Sequence, residues 1–331
     1  MPANLTAKYH KAEEEYRRAS TLEEELSGLQ AMLREIPKHK GTDKLQADLK
    51  QRISRARKQS EQPSKPGGSG GGGLRIPRQG AGRVVLIGGP NAGKSQLLRS
   101  LTRATPDVAP YPFTTQQASP GMMAFEDVTL QLIDTPPITA DAFDPATQGL
   151  IRGADLVMLL VDLGCDDGIE GVQAVIDKLR TTKTRLARHS YLDEGDVGLS
   201  YTQTFLVLNK MDDPEAEDRR ELLCEICPLD YVEYRVSAAT GLGLDELCLK
   251  IFQALDVVRV YTKMPNRKEP DYDKPFTIRR GGTLSDIAQL IHKELADNLK
   301  FARVWGSNVQ GGTSVKSDYV LHDKDVVEIH V

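Results

Sequence analysis

Gly88-Gly89-Pro90-Asn91-Ala92-Gly93-Lys94-Ser95 fits the pattern G-x-x-x-x-G-K-[ST], a loop built to hold phosphate. Its glycines let backbone N–H groups close around a β-phosphate. Lys94 is placed to reach the β/γ oxygens, and the Ser95 hydroxyl to ligate Mg²⁺. The expected nucleotide contacts run along the loop, from Gly88 through Pro90, Asn91, Ala92, Gly93, Lys94 and Ser95 to Gln96. Such a loop needs a strand before it and a helix after it. Val84-Val85-Leu86-Ile87 reads as a buried strand, and Gln96-Leu97-Leu98-Arg99-Ser100-Leu101 as a helix whose N-terminal dipole faces the anion.

A second block chooses the base. Thr204-Phe205-Leu206-Val207-Leu208 reads as a strand running into Asn209-Lys210-Met211-Asp212, and the carboxyl end of such a strand is where an open α/β sheet binds its ligand. The Asp212 carboxylate suits the N1–H and exocyclic amine of guanine. Adenine offers no such donor pair and would leave the carboxylate unpaired. Lys210 is expected to lay its stem along the base, and Asn209 to tie this segment to the phosphate loop. After one more strand, Tyr231 to Val236, the backbone N–H groups of Ser237-Ala238-Ala239 are placed for the guanine O6.

Two further segments lie where phosphate-sensing switches belong. Tyr111-Pro112-Phe113-Thr114-Thr115 falls about twenty residues beyond Lys94, and Thr115 is the expected Mg²⁺ ligand there. Strand Val128 to Ile133 then delivers Asp134-Thr135-Pro136-Pro137, in which Asp134 is expected to bind Mg²⁺ through a water. The metal set is therefore Ser95, Thr115 and Asp134. Pro137 stands where a D-x-x-G box has glycine; it has no N–H and a fixed φ. Ile138 follows, where a water-orienting glutamine often stands. Slow intrinsic hydrolysis is expected. Asn91 leaves two readings open: a turn-forming residue, or a ligand that places K⁺ against the phosphates to offset developing charge. The catalytic set is thus Lys94, Thr115 and Asn91.

These motifs resemble those of the Obg-like GTPases (HflX/Obg-type, TRAFAC class), and within them the branch of developmentally regulated GTP-binding proteins. Gly88 to Ser95, Tyr111 to Thr115, Asn209 to Asp212 and Ser237 to Ala239 carry the resemblance. Val258-Arg259-Val260-Tyr261-Thr262-Lys263, Val304-Trp305-Gly306 and Asp323-Lys324-Asp325-Val326-Val327 resemble a TGS domain, a ubiquitin-like β-grasp. Pro37-Lys38-His39-Lys40-Gly41-Thr42 and the glycine run resemble the same branch's helical N-terminus. The resemblance implies ribosome or rRNA association, or a protein partner. It is incomplete, because Asp134 and Asn209 lie about 75 residues apart and leave no room for the extra domain of eukaryotic members. The glycine-rich N-terminal domain of Obg is also missing.

The organisation expected from 331 residues is α/β. A helical hairpin or coiled coil (1–62) and a glycine-rich linker (63–79) precede a doubly wound P-loop domain (80–256) and a β-grasp TGS domain (257–331). Leu22, Leu26, Leu29, Leu33 and Ile36 form one heptad-type seam, and Leu45, Leu49 and Ile53 a second, so an antiparallel hairpin is expected. Arg34, Lys38, Lys40, Lys44, Lys50, Arg52, Arg55, Arg57 and Lys58 make it basic: either an RNA-phosphate grip or a solvated face. Arg279 and Arg280 leave the same two readings open. Val172 to about Ser190 reads as a helix. Cys224-x-x-Cys227 lacks a second ligand pair and reads as buried small hydrophobes, and four cysteines are too few for a disulfide scaffold. A net charge of −4 builds in no global attraction to nucleic acid. With no apolar run near ~18 residues and no secretory leader, a cytoplasmic location off the membrane is expected.

Overall fold

The computed structural model describes residues 5–19, 22–37, 42–61, 76–102, 118–193, 196, 198–267 and 269–331. The Tyr111–Thr115 segment and the glycine run lie outside them.

The N-terminal unit has three helices, α1 (Ala7–Arg17), α2 (Leu22–Glu35) and α3 (Asp43–Glu61). Leu29 of α2 and Ile36 just beyond it share a core with Leu49 and Ile53 of α3, as the seams predict; Met32, outside the expected seam, is also fully buried there, while Leu26, Leu33 and Leu45 are only partly buried. The two-helix expectation omits α1, whose Tyr9, Ala12 and Tyr16 enter the same core at helical spacing. Gly28 permits that docking. A Cβ there would stand 2.7 Å from the Tyr16 Cα. Gly28→Ala is therefore expected to destabilise this unit by about 1–3 kcal/mol, although alanine is the better helix former. A lower thermal midpoint for the full chain checks it.

The central unit is an eight-stranded sheet with helices on both faces. Its elements run β1 (Arg83–Gly88), α4 (Lys94–Thr102), β2 (Ser119–Phe125), β3 (Val128–Asp134), α5 (Pro145–Arg152), β4 (Leu156–Asp162), α6 (Asp167–Arg180), β5 (Thr184–Ala187), β6 (Tyr191–Leu192), β7 (Ser200–Asn209), α7 (Ala216–Ile226), β8 (Val232–Arg235) and α8 (Leu244–Ala254). The order β2-β3-β1-β4-β7 places β1, the strand feeding the phosphate loop, between two parallel neighbours. Val84 to Ile87 are fully buried, a gain of about 1.5–3 kcal/mol for each large side chain. The expected long helix to Ser190 instead ends at Arg180, and β5 pairs with β7 beyond it. The acidic loop after Tyr191 docks the helical unit: Leu192 enters its core, and Asp196 accepts from Arg52. Cys227 is buried but Cys224 is exposed, so only one of the pair acts as a core residue.

The C-terminal unit is a five-stranded sheet, order β10-β9-β13-β11-β12. Its elements are β9 (Val257–Thr262), β10 (Asp271–Arg279), α9 (Leu284–Ile291), α10 (Lys293–Asp297), β11 (Phe301–Gly306), β12 (Val309–Val315) and β13 (Asp325–His330). Thr283 and Asp286 form the capping box expected at the start of α9, and Leu284 and Ile287 are buried beneath it. Arg259 clamps this unit to the central one. Its nearly buried guanidinium donates to Asp323 on its own side and to Glu126 and Asp127 at the β2–β3 turn. Tyr261 donates to Asp127 as well. Burial alone would raise the Asp127 carboxyl, but the hydrogen bonds from Tyr261 and Arg259 outweigh it and hold it below its ordinary pKa. Among the described residues no helix is long and apolar enough to cross a membrane.

Candidate functional site

The phosphate loop joins the carboxyl end of β1 to α4. Asn91 takes the left-handed conformation at φ 57°, which asparagine tolerates. Gly93 has no such latitude. Its φ is 89°, and a Cβ would stand 2.2 Å from the Asn209 Nδ2. That closeness is functional geometry, because Asn209 Nδ2 donates to the Ala92 carbonyl at 2.9 Å while its Oδ1 accepts from Ala238 N–H at 3.0 Å. One amide thus joins all three sequence blocks. Ser237 is fully buried and Ala238 nearly so, Ala239 is exposed, and Ser100 on α4 donates to the Ala238 carbonyl at 2.8 Å.

Lys94 is 7% exposed and donates to the carbonyls of Gly88 and Gly89 at 3.1 and 2.8 Å. Burial pushes its pKa down, and Asp134 partly opposes that. Ser95 Oγ donates to Asp134 Oδ2 at 2.5 Å. The other oxygen, Asp134 Oδ1, is buried with no hydrogen-bond partner among the described residues. Burial raises the Asp134 pKa against the Ser95 hydrogen bond and the Lys94 charge. A hydroxyl and an orphaned carboxylate oxygen, both hard donors, fit Mg²⁺. Thr115, the third expected ligand, lies outside the described residues.

Thr135 is buried and donates to the Leu86 carbonyl at 2.7 Å. Pro137 is exposed and trans. Ile138 is 1% exposed, packs in the central core and donates its N–H to the Gly88 carbonyl at 3.2 Å. Its side chain faces the core, so it has no means of orienting water. Pro90, Asn91, Gln96 and Asp212 are exposed, and no described residue hydrogen-bonds the Asp212 carboxylate.

Sequence reasoning passes over Asp162. This residue ends β4, is 4% exposed, and accepts from Lys210 Nζ at 2.5 Å and from Gly164 N–H at 2.8 Å. It fixes Lys210, whose φ is 66°, beside the phosphate loop. An acid closing the apolar run Leu156 to Val161 is the signal that marks it.

Comparison with known proteins places two domains on the chain. Residues 83–210 match the model of a family described as 50S ribosome-binding GTPase, and residues 258–331 that of the TGS domain. The chain joins a P-loop GTPase domain to a TGS domain. Developmentally-regulated GTP-binding protein 2 homolog of Dictyostelium discoideum is 29% identical, over 92% of this chain and 98% of that one. Developmentally-regulated G-protein 2 of Arabidopsis thaliana is 28% identical, over 92% and 90%. The Dictyostelium alignment spans 363 positions against a chain of 331, so that relative carries sequence this chain lacks. The YchF GTPase of Schizosaccharomyces pombe shares the fold, with a TM-score of 0.52, 14% identity, and coverage of 77% of this chain and 99% of that one.

Proposed function

We propose that the chain is a slow GTP-hydrolysing switch of the Obg-like, developmentally regulated type, working in the cytoplasm with ribosomes or RNA. The Asn209 bridge carries this reading, because it fastens the base-reading segment to the phosphate loop at both ends. Asp212, exposed at the mouth, reads the guanine edge. The backbone from Pro90 to Gln96 holds the phosphates, and Lys94 leaves the loop carbonyls for the β/γ oxygens. Ser95, Thr115 and Asp134 would hold Mg²⁺, which would supply positive charge against the phosphates. Asn91 lies at the rim, where K⁺ would assist.

Asp212→Ala is expected to weaken GDP binding on the order of 10–150-fold, the loss of a charged pair of hydrogen bonds, with little change in fold. Titration with a fluorescent GDP analogue checks it. Unchanged affinity would remove guanine from the reading.

The burial of Ile138 favours slow chemistry. A second reading follows from it: a GTP-binding scaffold or signalling adaptor in which occupancy alone sets partner choice. Turnover of the purified chain with Mg²⁺, in potassium against sodium at equal ionic strength, separates the two. Faster turnover in potassium supports the switch and Asn91. Tight binding without turnover in either salt supports the scaffold.

The RNA partner is proposed on the exposed Lys44, Lys50, Arg55, Arg57 and Lys58 of α3. Arg279 and Arg280 are exposed as well, but carboxylates already engage them: Glu14 and Asp155 pair with Arg279, and Asp256 with Arg280. Cosedimentation with ribosomes that weakens steeply with salt is the expected result.

A further inference from the structure

We propose that the junction of α1, α5 and β10 is a binding site for a small phosphate-class anion, separate from the nucleotide loop. Asp155, just before β4, is its hub. β4 ends at Asp162 beside the phosphate loop, so the hub lies roughly 23 Å away at ~3.3 Å per residue.

Six guanidinium groups gather here, those of Arg17, Arg18, Arg78, Arg83, Arg152 and Arg279, against the carboxylates of Glu14, Glu24 and Asp155. Asp155 has no capacity left. Its Oδ1 accepts from Arg18 at 2.9 Å and Arg279 at 3.4 Å; its Oδ2 accepts from Arg78 at 3.3 Å and the Arg83 N–H at 2.8 Å. Glu14 serves Arg18 and Arg279. Backbone carbonyls take Arg78 (Gly153) and Arg83 (Ile76). What remains is Arg17 Nη1, Arg18 Nε, and Arg152 Nε and Nη2, all buried and without a hydrogen-bond partner among the described residues, although the Arg152 guanidinium lies 5.0 Å over the Tyr16 ring.

Arg17 is the decisive member. It is 4% exposed and makes no ion pair with a described residue. Burial, and then the charge of Arg18, push its pKa down to about 10, so it still carries its charge at neutral pH. Buried charged donors without acceptors are costly, and a surplus of three positive charges in one place adds to that. Water would satisfy the donors but not the charge. A phosphate does both, with several oxygens that match planar guanidinium forks.

The anion has to be small, because a polymer backbone has no access to a side chain this buried. A small ion has room to approach: Arg17 lines a cavity of about 760 Å³ between α1 and β6, together with Glu14, Asp193 and Glu13, the last engaged by His10. The occupant is either free orthophosphate or the phosphate of a mononucleotide. Because Arg17 and Arg18 belong to the helical unit, Arg152 to the GTPase domain and Arg279 to the TGS domain, the anion would favour their docked arrangement.

The test uses the full chain in excess GDP and Mg²⁺, which fill the nucleotide loop. Its thermal midpoint is followed against orthophosphate, against AMP, and against chloride of equal ionic strength. A saturable rise of several degrees is expected with a phosphate but not with chloride. It should persist in Lys94→Ala and vanish in Arg17→Met, whose midpoint without phosphate should be no lower than that of the parent. Arg152→Gln should raise the half-saturating concentration at least about tenfold, the loss of one charged hydrogen bond or more. A tighter response to AMP assigns the site to a mononucleotide, and an equal or weaker one to free phosphate. A rise matched by chloride, or undiminished in Arg17→Met, overturns the proposal. If Arg17→Met fails to fold, an unchanged half-saturation in Arg152→Gln overturns it alone.

Discussion

Asp155→Ala is expected to destabilise the chain by about 3–5 kcal/mol, the largest effect of any single carboxylate here. The Asp155 carboxylate is 8% exposed and takes donors from Arg18 of the helical unit, Arg78 and the Arg83 N–H of the GTPase domain, and Arg279 of the TGS domain. Its removal leaves several guanidiniums facing one another with Glu14 and Glu24 as their acids. Denaturant unfolding should show a lower midpoint, and limited proteolysis faster release of the terminal units. Asp196→Ala is the comparison: it breaks the half-exposed pair with Arg52 and should cost less than about 1 kcal/mol. Equal effects from the two variants would show that Asp155 is not a hub.

Gly93→Ala is expected to abolish guanine-nucleotide binding at ordinary concentrations, a loss on the order of 10²-fold or more. Two penalties coincide. The new methyl group sits in a left-handed backbone, and it occupies the place of the Asn209 amide. Moving that amide releases both the Ala92 carbonyl and the Ala238 N–H, so the phosphate loop and the base-reading segment lose their tie together. Asn209→Ala should reproduce the binding loss without the backbone strain, and therefore with the smaller drop in thermal midpoint. Calorimetric titration with GDP checks the shared binding loss, and the thermal midpoint distinguishes the two. Wild-type affinity in Gly93→Ala would mean that the bridge is dispensable.

The loop and strand ends of the candidate nucleotide site were legible because their parts announce themselves locally. A glycine pattern between an apolar strand and a helix has few other uses, and Asn209 to Asp212 follows directly on its own strand. Residues whose role depends on distant partners were not legible. Asp162 gains its role from Lys210 across the sheet, and Arg279 looks like an exposed turn until Glu14, far away in the chain, is placed beside it. The stretch holding α1 was expected to be helical, but its packing as a third helix was not legible, for a related reason. Tyr9, Ala12 and Tyr16 make a thin stripe in a charged segment, and only their fit over Gly28 buries them. Ile138 was half legible: its type excludes a glutamine's chemistry, but only the fold shows it serving as core beneath the loop.

The Arg259 clamp has a mechanical consequence. β2 and β3 pair without a break from Ser119 opposite Asp134 to Phe125 opposite Val128, making a stiff two-stranded ribbon. One end of the ribbon holds Asp134, which faces Ser95; the other holds Glu126 and Asp127, which Arg259 and Tyr261 grip. Paired strands transmit a tilt better than they absorb a bend. The ribbon is therefore a strut: β1 also holds its Asp134 end, where Leu86 pairs with Asp134, and the TGS domain is mounted on the other end.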